Sequence, residues 1–251
     1  MSRTALAIVG AVALAVPASG PAVAAPRAAQ AEPPDPRWAE ITRVEGGYSY
    51  LATLHDSKLK VTRVGDRVRF HDRALRRFLP LPRGCREVAV DRGIAATCRI
   101  PDTTSPAAPL LLEIKPRLGD DRVDGSELGA EFKLSVLASA GDDVVLGGAG
   151  RDFVNGATGI DRVHGGPGAD WIRTGDGDDV AAGGAGHDLL VGSEGDDQLA
   201  GGVGDDVLEG GIGNDLLLGG PGEDTLLCGD GVDTTDDDGD LDEPRRCERT
   251  V

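Results

Sequence analysis

Between Ala138 and Asp236 the chain repeats every nine residues without a slip. Eleven rows fit the frame, from Ala138–Leu146 to Cys228–Asp236. The fourth position of each row is glycine, from Gly141 to Gly231. The sixth is aspartate throughout: Asp143, Asp152, Asp161, Asp170, Asp179, Asp188, Asp197, Asp206, Asp215, Asp224 and Asp233. The eighth is apolar from Val145 to Leu226, and Thr235 closes the series. So short a period leaves few folds open. A nine-residue unit cannot bury its one large apolar residue alone, whereas stacked rows turn the eighth positions into a continuous core. This stretch reads as stacked rows, each of which needs its neighbours.

Each row divides by chemistry. Positions one to four are rich in glycine, which reaches φ > 0 without strain and lets the chain turn sharply. Positions seven to nine have room for a short extended segment whose middle residue faces the core and whose neighbours face out. Stacking then sets the sixth-position carboxylates over one another at about 5 Å. With an effective dielectric near 20, each such contact repels by about 3 kcal/mol. Summed along the stack, this exceeds the ~5–15 kcal/mol by which folded chains are stable. A divalent cation between the turns reverses the sign. Calcium takes about six to eight oxygens in a tolerant geometry, which carboxylates and freed glycine carbonyls can supply.

The pattern G-G-x-G-x-D-x-U-x, with U a large apolar residue, resembles the hemolysin-type calcium-binding repeat of the secreted bacterial repeats-in-toxin family. The resemblance covers about two fifths of the chain. It implies an all-β fold, a parallel β-roll (a calcium-stabilised β-solenoid), preceded here by a small β module. In the family the turns of rows n and n+2 stack on one side and hold Ca2+ between them. Eleven rows then offer at most about nine such gaps, with the eleven aspartates as the metal ligands. Rows beginning Ala138, Thr174 and Cys228 lack the double glycine and are expected to bind less well.

The charge distribution agrees with a bound cation. From Pro116 onward 32 acids face 9 bases, a net charge of −23, whereas Glu32–Lys115 carries +4. Nine calcium ions would nearly cancel the acidic half. Without them, a stretch so acidic and glycine-rich reads as disordered.

Residues 1–31 read as an export signal: Arg3, an apolar run from Ala5 to Val16, then A-x-A patterns ending at Ala24 and Ala31, either of which fits cleavage. The apolar run is too short to span a bilayer, and no transmembrane segment is expected after its removal. The chain is therefore expected outside the cell. Residues 32–37 form a proline-rich leader. Four cysteines suit an oxidising compartment and allow three pairings. Cys85 with Cys98 and Cys228 with Cys247 are the short-loop choice, because short loops cost less entropy to close. Zinc is disfavoured, with no C-x-x-C and no histidine near a cysteine.

Residues 38–115 change period. Apolar and polar residues alternate at Leu59–Arg63, Val68–Phe70, Val88–Val90, Ile94–Ile100 and Leu110–Ile114, with turns at Gly65-Asp66, Pro82–Gly84 and Asp91–Gly93. Ala74–Leu79 fits one helical turn. The segment is arginine-rich, which suits either an anionic cell-surface or matrix polymer or a solvated face balancing the acidic half. His55-Asp56 and His71-Asp72 read as surface pairs rather than catalytic dyads. In residues 116–137, Leu118–Val123 forms a degenerate first row whose Asp121 is a weaker ligand candidate. A four-residue insertion follows, and Leu128, Phe132, Leu134 and Val136 are suited to cover the first coil. Residues 237–251 form an acidic tail that fails the EF-hand pattern, since Arg245 falls where the twelfth-position Glu belongs.

Neither H-E-x-x-H nor G-x-S-x-G occurs. The expected function is therefore a secreted, non-enzymatic calcium-binding protein with a structural or adhesive role and no nucleic-acid partner. The alternative is a small exported hydrolase or surface-polymer-binding protein that uses residues 38–115, with the roll as a folding aid.

Overall fold

The structure is a computed structural model that describes residues 38–52, 56–236 and 243–245. The export signal, the leader, His55, Cys247 and most of the acidic tail lie outside the described residues.

The described residues contain strands and no helix. In the front segment these are β1 (Trp38–Val44), β2 (Gly47–Ala52), β3 (Lys58–Val64), β4 (Arg67–Asp72), β5 (Arg77–Phe78), β6 (Cys85–Val88), β7 (Ile94–Arg99) and β8 (Leu110–Arg117). β9 (Arg122–Asp124) and β10 (Phe132–Ala138) lead into the rows. The rows supply β11 (Val144–Leu146), β12 (Phe153–Thr158), β13 (Arg162–Pro167), β14 (Trp171–Asp176), β15 (Val180–Ala185), β16 (Leu189–Glu194), β17 (Gln198–Val203), β18 (Val207–Ile212), β19 (Leu216–Leu218), β20 (Thr225–Asp230) and β21 (Thr234–Thr235), and β22 (Glu243–Arg245) follows.

Successive rows alternate between two sheets, so each coil takes two rows. In one sheet Val154 lies beside Ile172, then Leu190, Leu208 and Leu226, all parallel. In the other, Val145 is followed by Val163, Ala181, Leu199, Leu217 and Thr235. This is the expected stacking of rows n and n+2. All eighth positions are buried between the sheets. A fully buried Val or Leu contributes roughly 1.5–3 kcal/mol, so the core gains stability one coil at a time.

The strands run longer than expected. In β12, β14, β16, β18 and β20 pairing continues from position seven through position three of the next row; Ala157, for example, pairs with Gly175. Buried backbone groups must find partners, and in a solenoid the next coil supplies them even at glycine.

The front segment shares both sheets with the rows. β1–β2 is an antiparallel hairpin, and β2 pairs in parallel with β8, which pairs with β10. β3–β4 is a second hairpin, with β3 parallel to β9. One hydrophobic core runs from Ala39 to Cys228. Leu128, Phe132, Leu134 and Val136 belong to it, and further strands of the front segment follow β10 in its sheet. Two local expectations need correction. Ala74–Leu79 is not helical: Leu75 and Phe78 both turn inward and β5 pairs with β1. The strand expected at Val88–Val90 lies instead at Cys85–Val88, where Cys85 sits opposite Cys98 in the β6–β7 pair. These two cysteines form a disulfide. Cys228 is buried and not a free thiol, while its expected partner Cys247 is not described.

Candidate metal centre

The sixth-position aspartates form two ladders, one along each edge where the sheets meet. Asp143, Asp161, Asp179, Asp197, Asp215 and Asp233 share one edge; Asp152, Asp170, Asp188, Asp206 and Asp224 share the other. Within a ladder, each backbone N–H donates to Oδ1 of the aspartate one coil on. Asp143 N–H donates to Asp161 at 2.8 Å, and Asp170 N–H to Asp188 at 2.7 Å. The nine gaps implied by eleven rows all carry this bond.

Every one of these side chains is buried, none more than 4% exposed. Burial is the first cause raising the carboxyl pKa from its ordinary 3.8: to about 7 at Asp143, Asp170 and Asp197, and about 6 at Asp161. Asp152, Asp179, Asp188, Asp206 and Asp215 shift the same way for the same reason. The backbone N–H bond opposes the shift. Mutual repulsion ranks behind burial, and at Asp188 the neighbouring charge that matters is His187, which lowers the value. Removal from water is thus the larger penalty, not the carboxylate–carboxylate contact that stacking alone suggests.

The second oxygen carries the chemistry. Oδ2 of Asp143, Asp161, Asp170, Asp188, Asp197, Asp206, Asp215 and Asp233 is buried without a hydrogen-bond partner. At Asp161, Asp170, Asp188, Asp197, Asp206 and Asp215 it overlies the first-position glycine of its own row, where a side chain has no room. A methyl group on Gly165 would press on Asp170 Oδ2 and lie 2.7 Å from the Gly183 carbonyl oxygen of the next coil. Gly192 faces Asp197 Oδ2 and the Gly210 carbonyl in the same way. A carboxylate oxygen and a backbone carbonyl oxygen therefore converge beside each such glycine. Among the described residues no three His, Cys, Asp or Glu side chains gather at one point. A cation here would take much of its coordination from the backbone, which suits the oxygen-rich, tolerant preference of calcium and not the imidazole or thiolate preference of zinc.

The fourth-position glycine turns the chain at φ near +140°, as at Gly177 and Gly204. The second position is also left-handed, and Ala157 and Ser193 adopt it without being glycine. Rows lacking the double glycine keep the ladder. Thr174 is fully buried at a first position, and Asp179 still bonds to its neighbours above and below. Asp152 departs from the others, because its Oδ2 accepts from Gly148 N–H at 2.8 Å.

One candidate was ranked low in the sequence and one feature escaped it. Asp121 has the full ladder geometry: its N–H donates to Asp143 Oδ1 at 2.8 Å, its Oδ1 accepts from Ser57 N–H, and its Oδ2 has no partner. Burial pushes its pKa to about 8. The four-residue insertion lowered its rank by breaking the nine-residue frame. The opposite edge has no equivalent: there Leu134 N–H donates to Asp152, and the Leu134 side chain joins the core. The fifth position also forms ladders. Asp178 accepts from Asp196 N–H, and Asp196 from Asn214 N–H at 2.7 Å. His187 takes part as well and accepts from Asp205 N–H at 2.9 Å.

His71 and Asp72 are not a dyad. They alternate along β4: Asp72 is buried and accepts from Tyr50 OH, Ser57 OH and two backbone N–H groups, while His71 faces outward.

A family model for the RTX calcium-binding nonapeptide repeat matches residues 135–163, 155–190, 164–199, 191–226 and 200–234. No curated protein matches the chain.

Proposed function

Residues 135–234 belong to the RTX calcium-binding nonapeptide repeat family, and from that premise we propose that this protein folds its roll on calcium outside the cell and serves there as a structural or adhesive element without catalysing a reaction. The observation that carries this reading is the buried, donor-free Oδ2 beside the first-position glycines Gly156, Gly165, Gly183, Gly192, Gly201 and Gly210. Oδ1 is held by a backbone N–H, which fixes the carboxylate. Oδ2 and the next coil's first-position carbonyl face the space that the missing Cβ leaves. Calcium supplies positive charge at a point where the chain has buried negative charge and no cation of its own. The eleven aspartates are the proposed ligands, and Asp121 joins them on its geometry. Extracellular modules bind calcium at about 10⁻⁴–10⁻³ M, well above the free calcium inside cells, so export and folding are coupled. The export signal proposed at residues 1–31 supplies the route, and N-terminal sequencing of the exported chain decides between cleavage after Ala24 and after Ala31.

Far-UV circular dichroism during a calcium titration, with magnesium as control, tests the reading. The expected result is a cooperative gain of β signal near millimolar calcium that magnesium does not reproduce, since magnesium sheds its water reluctantly. A chain fully folded in chelator at pH 7.5 would sink calcium-gated folding.

A further inference from the structure

The outer face of β4 carries a second group of unpartnered charges, of opposite sign to the aspartate ladders. Alternation along the strand sends Val68, Phe70 and Asp72 into the core and leaves Arg69 and His71 outside. Residues 89–93 fold back against the end of this strand. Gly93 makes the approach possible: it sits at φ +78°, and a methyl group there would lie 2.5 Å from Arg73 Cα. His71 latches the loop, its Nε2–H donating to the Arg92 carbonyl at 2.9 Å. The result is a concave pocket of about 380 Å³ lined by Arg69, Arg73 and Arg92 with His71 and Asp91. Three guanidinium groups against one carboxylate leave an excess of two positive charges.

These arginines have not been neutralised, although the chain has acids to spare, 43 against 26 bases. Lys60 pairs with Glu127 at 2.6 Å, Arg63 with Glu131, and Lys115 with Glu113 at 2.9 Å. Arg69, Arg73 and Arg92 form no side-chain hydrogen bond or ion pair among the described residues, and Arg69 Nε is buried with no partner at all. A buried donor without an acceptor is rare in folded proteins and calls for a ligand or a reason.

We propose that this pocket binds an oxyanion of the phosphate or sulfate class. Guanidinium forks bond such groups through paired N–H donors. Three of them around one cavity suit a group with three or more acceptor oxygens better than a planar carboxylate with two. The volume admits the anionic group together with part of whatever carries it, being within the range of ligand pockets. The group occurs both as a small free anion and as the charged unit of an anionic polymer, and its chemistry is the same in either.

Isothermal titration of the mature chain in saturating calcium tests the proposal, using sodium sulfate, sodium glycerol 1-phosphate and a short glycerol-phosphate oligomer. Sodium chloride at matched ionic strength is the control. Saturable binding of sulfate and glycerol phosphate that chloride does not reproduce is expected. Arg69→Gln and Arg92→Gln should each weaken it about tenfold, the size of one charge-assisted hydrogen bond. Arg162→Gln, an exposed change on the rows, should leave it unaltered. Tighter binding of the oligomer than of the monomer assigns the site to a polymer, and equal binding assigns it to a small anion; both support the pocket. The absence of saturable binding by wild-type protein overturns the proposal irrespective of how the variants fold. So does an Arg162→Gln loss equal to that of the pocket variants, which would mean diffuse charge and not a site.

Discussion

Asp72 in the front segment and Asp161 in the rows are both completely buried aspartates, and the protein treats them in opposite ways. Asp72 accepts four hydrogen bonds through both oxygens, from Tyr50, Ser57, Lys58 and Ala74. Asp161 accepts one, from Asp143 N–H, and its other oxygen meets no donor. The front segment also has what a self-sufficient core needs: Tyr50 stacked on Phe70, antiparallel hairpins and the Cys85–Cys98 bridge. Each row but the last buries a single aliphatic side chain at its eighth position. A buried carboxylate answered by the chain's own donors makes structure permanent; one left half answered makes structure conditional on something in solution.

The largest test of this contrast is removal of calcium at neutral pH. Amide hydrogen exchange in chelator should lose protection across β12, β14, β16 and β18 while β3, β4 and β7 stay protected. Simultaneous loss in both regions would break the comparison, because the shared sheets would then behave as one cooperative unit.

Acid should partly replace calcium. The carboxyl pKa values of Asp143, Asp161, Asp170 and Asp197 are raised from 3.8 to about 7, 6, 7 and 7. Groups whose folded pKa is raised take up protons on folding, so their contribution is full below about pH 4 and is lost as pH rises through 6–7. Chelated protein should therefore gain β signal between pH 7.5 and 4.5. Circular dichroism unchanged across that window would mean that protonation does not relieve the ladders.

A smaller effect separates the front of the core from its row end. Leu190→Ala and Leu59→Ala each remove a fully buried leucine and should cost about 2–5 kcal/mol. Only Leu190→Ala should raise the calcium concentration at the folding midpoint. Equal shifts for both would place the front of the core inside the calcium-dependent unit.

The finest comparison lies within the ladders. Asp161→Asn keeps the Oδ1 acceptor and removes the charge. It should lower calcium affinity yet stabilise the chelated fold by roughly 1–3 kcal/mol, the cost of a buried unsatisfied group. Asp152→Asn should stabilise less, because Gly148 already donates to Asp152 Oδ2. Paired denaturation curves in chelator check the order.

The row frame, the buried eighth positions and the sixth-position aspartates were legible because each is a strict one-dimensional period, and a solenoid converts sequence period directly into contact. The front strands were harder to read. β1, β2 and the position of β6 depend on pairing between distant segments, and Ala74–Leu79 took an extended path because Leu75 and Phe78 had a core to fill. Asp121 was undervalued because a four-residue insertion interrupts the count while leaving the coil intact.

What the sequence determined by itself was the solenoid and its acidic edges, since no other arrangement buries one residue in nine. What only the tertiary structure decided was how each charge is answered. It gave Oδ1 a backbone donor from the neighbouring coil and left Oδ2 without one, satisfied Asp72 internally, and gathered Arg69, Arg73 and Arg92 around one pocket. Hydrogen-bond satisfaction depends on the direction and distance of groups far apart in the chain, and a linear pattern does not carry that information.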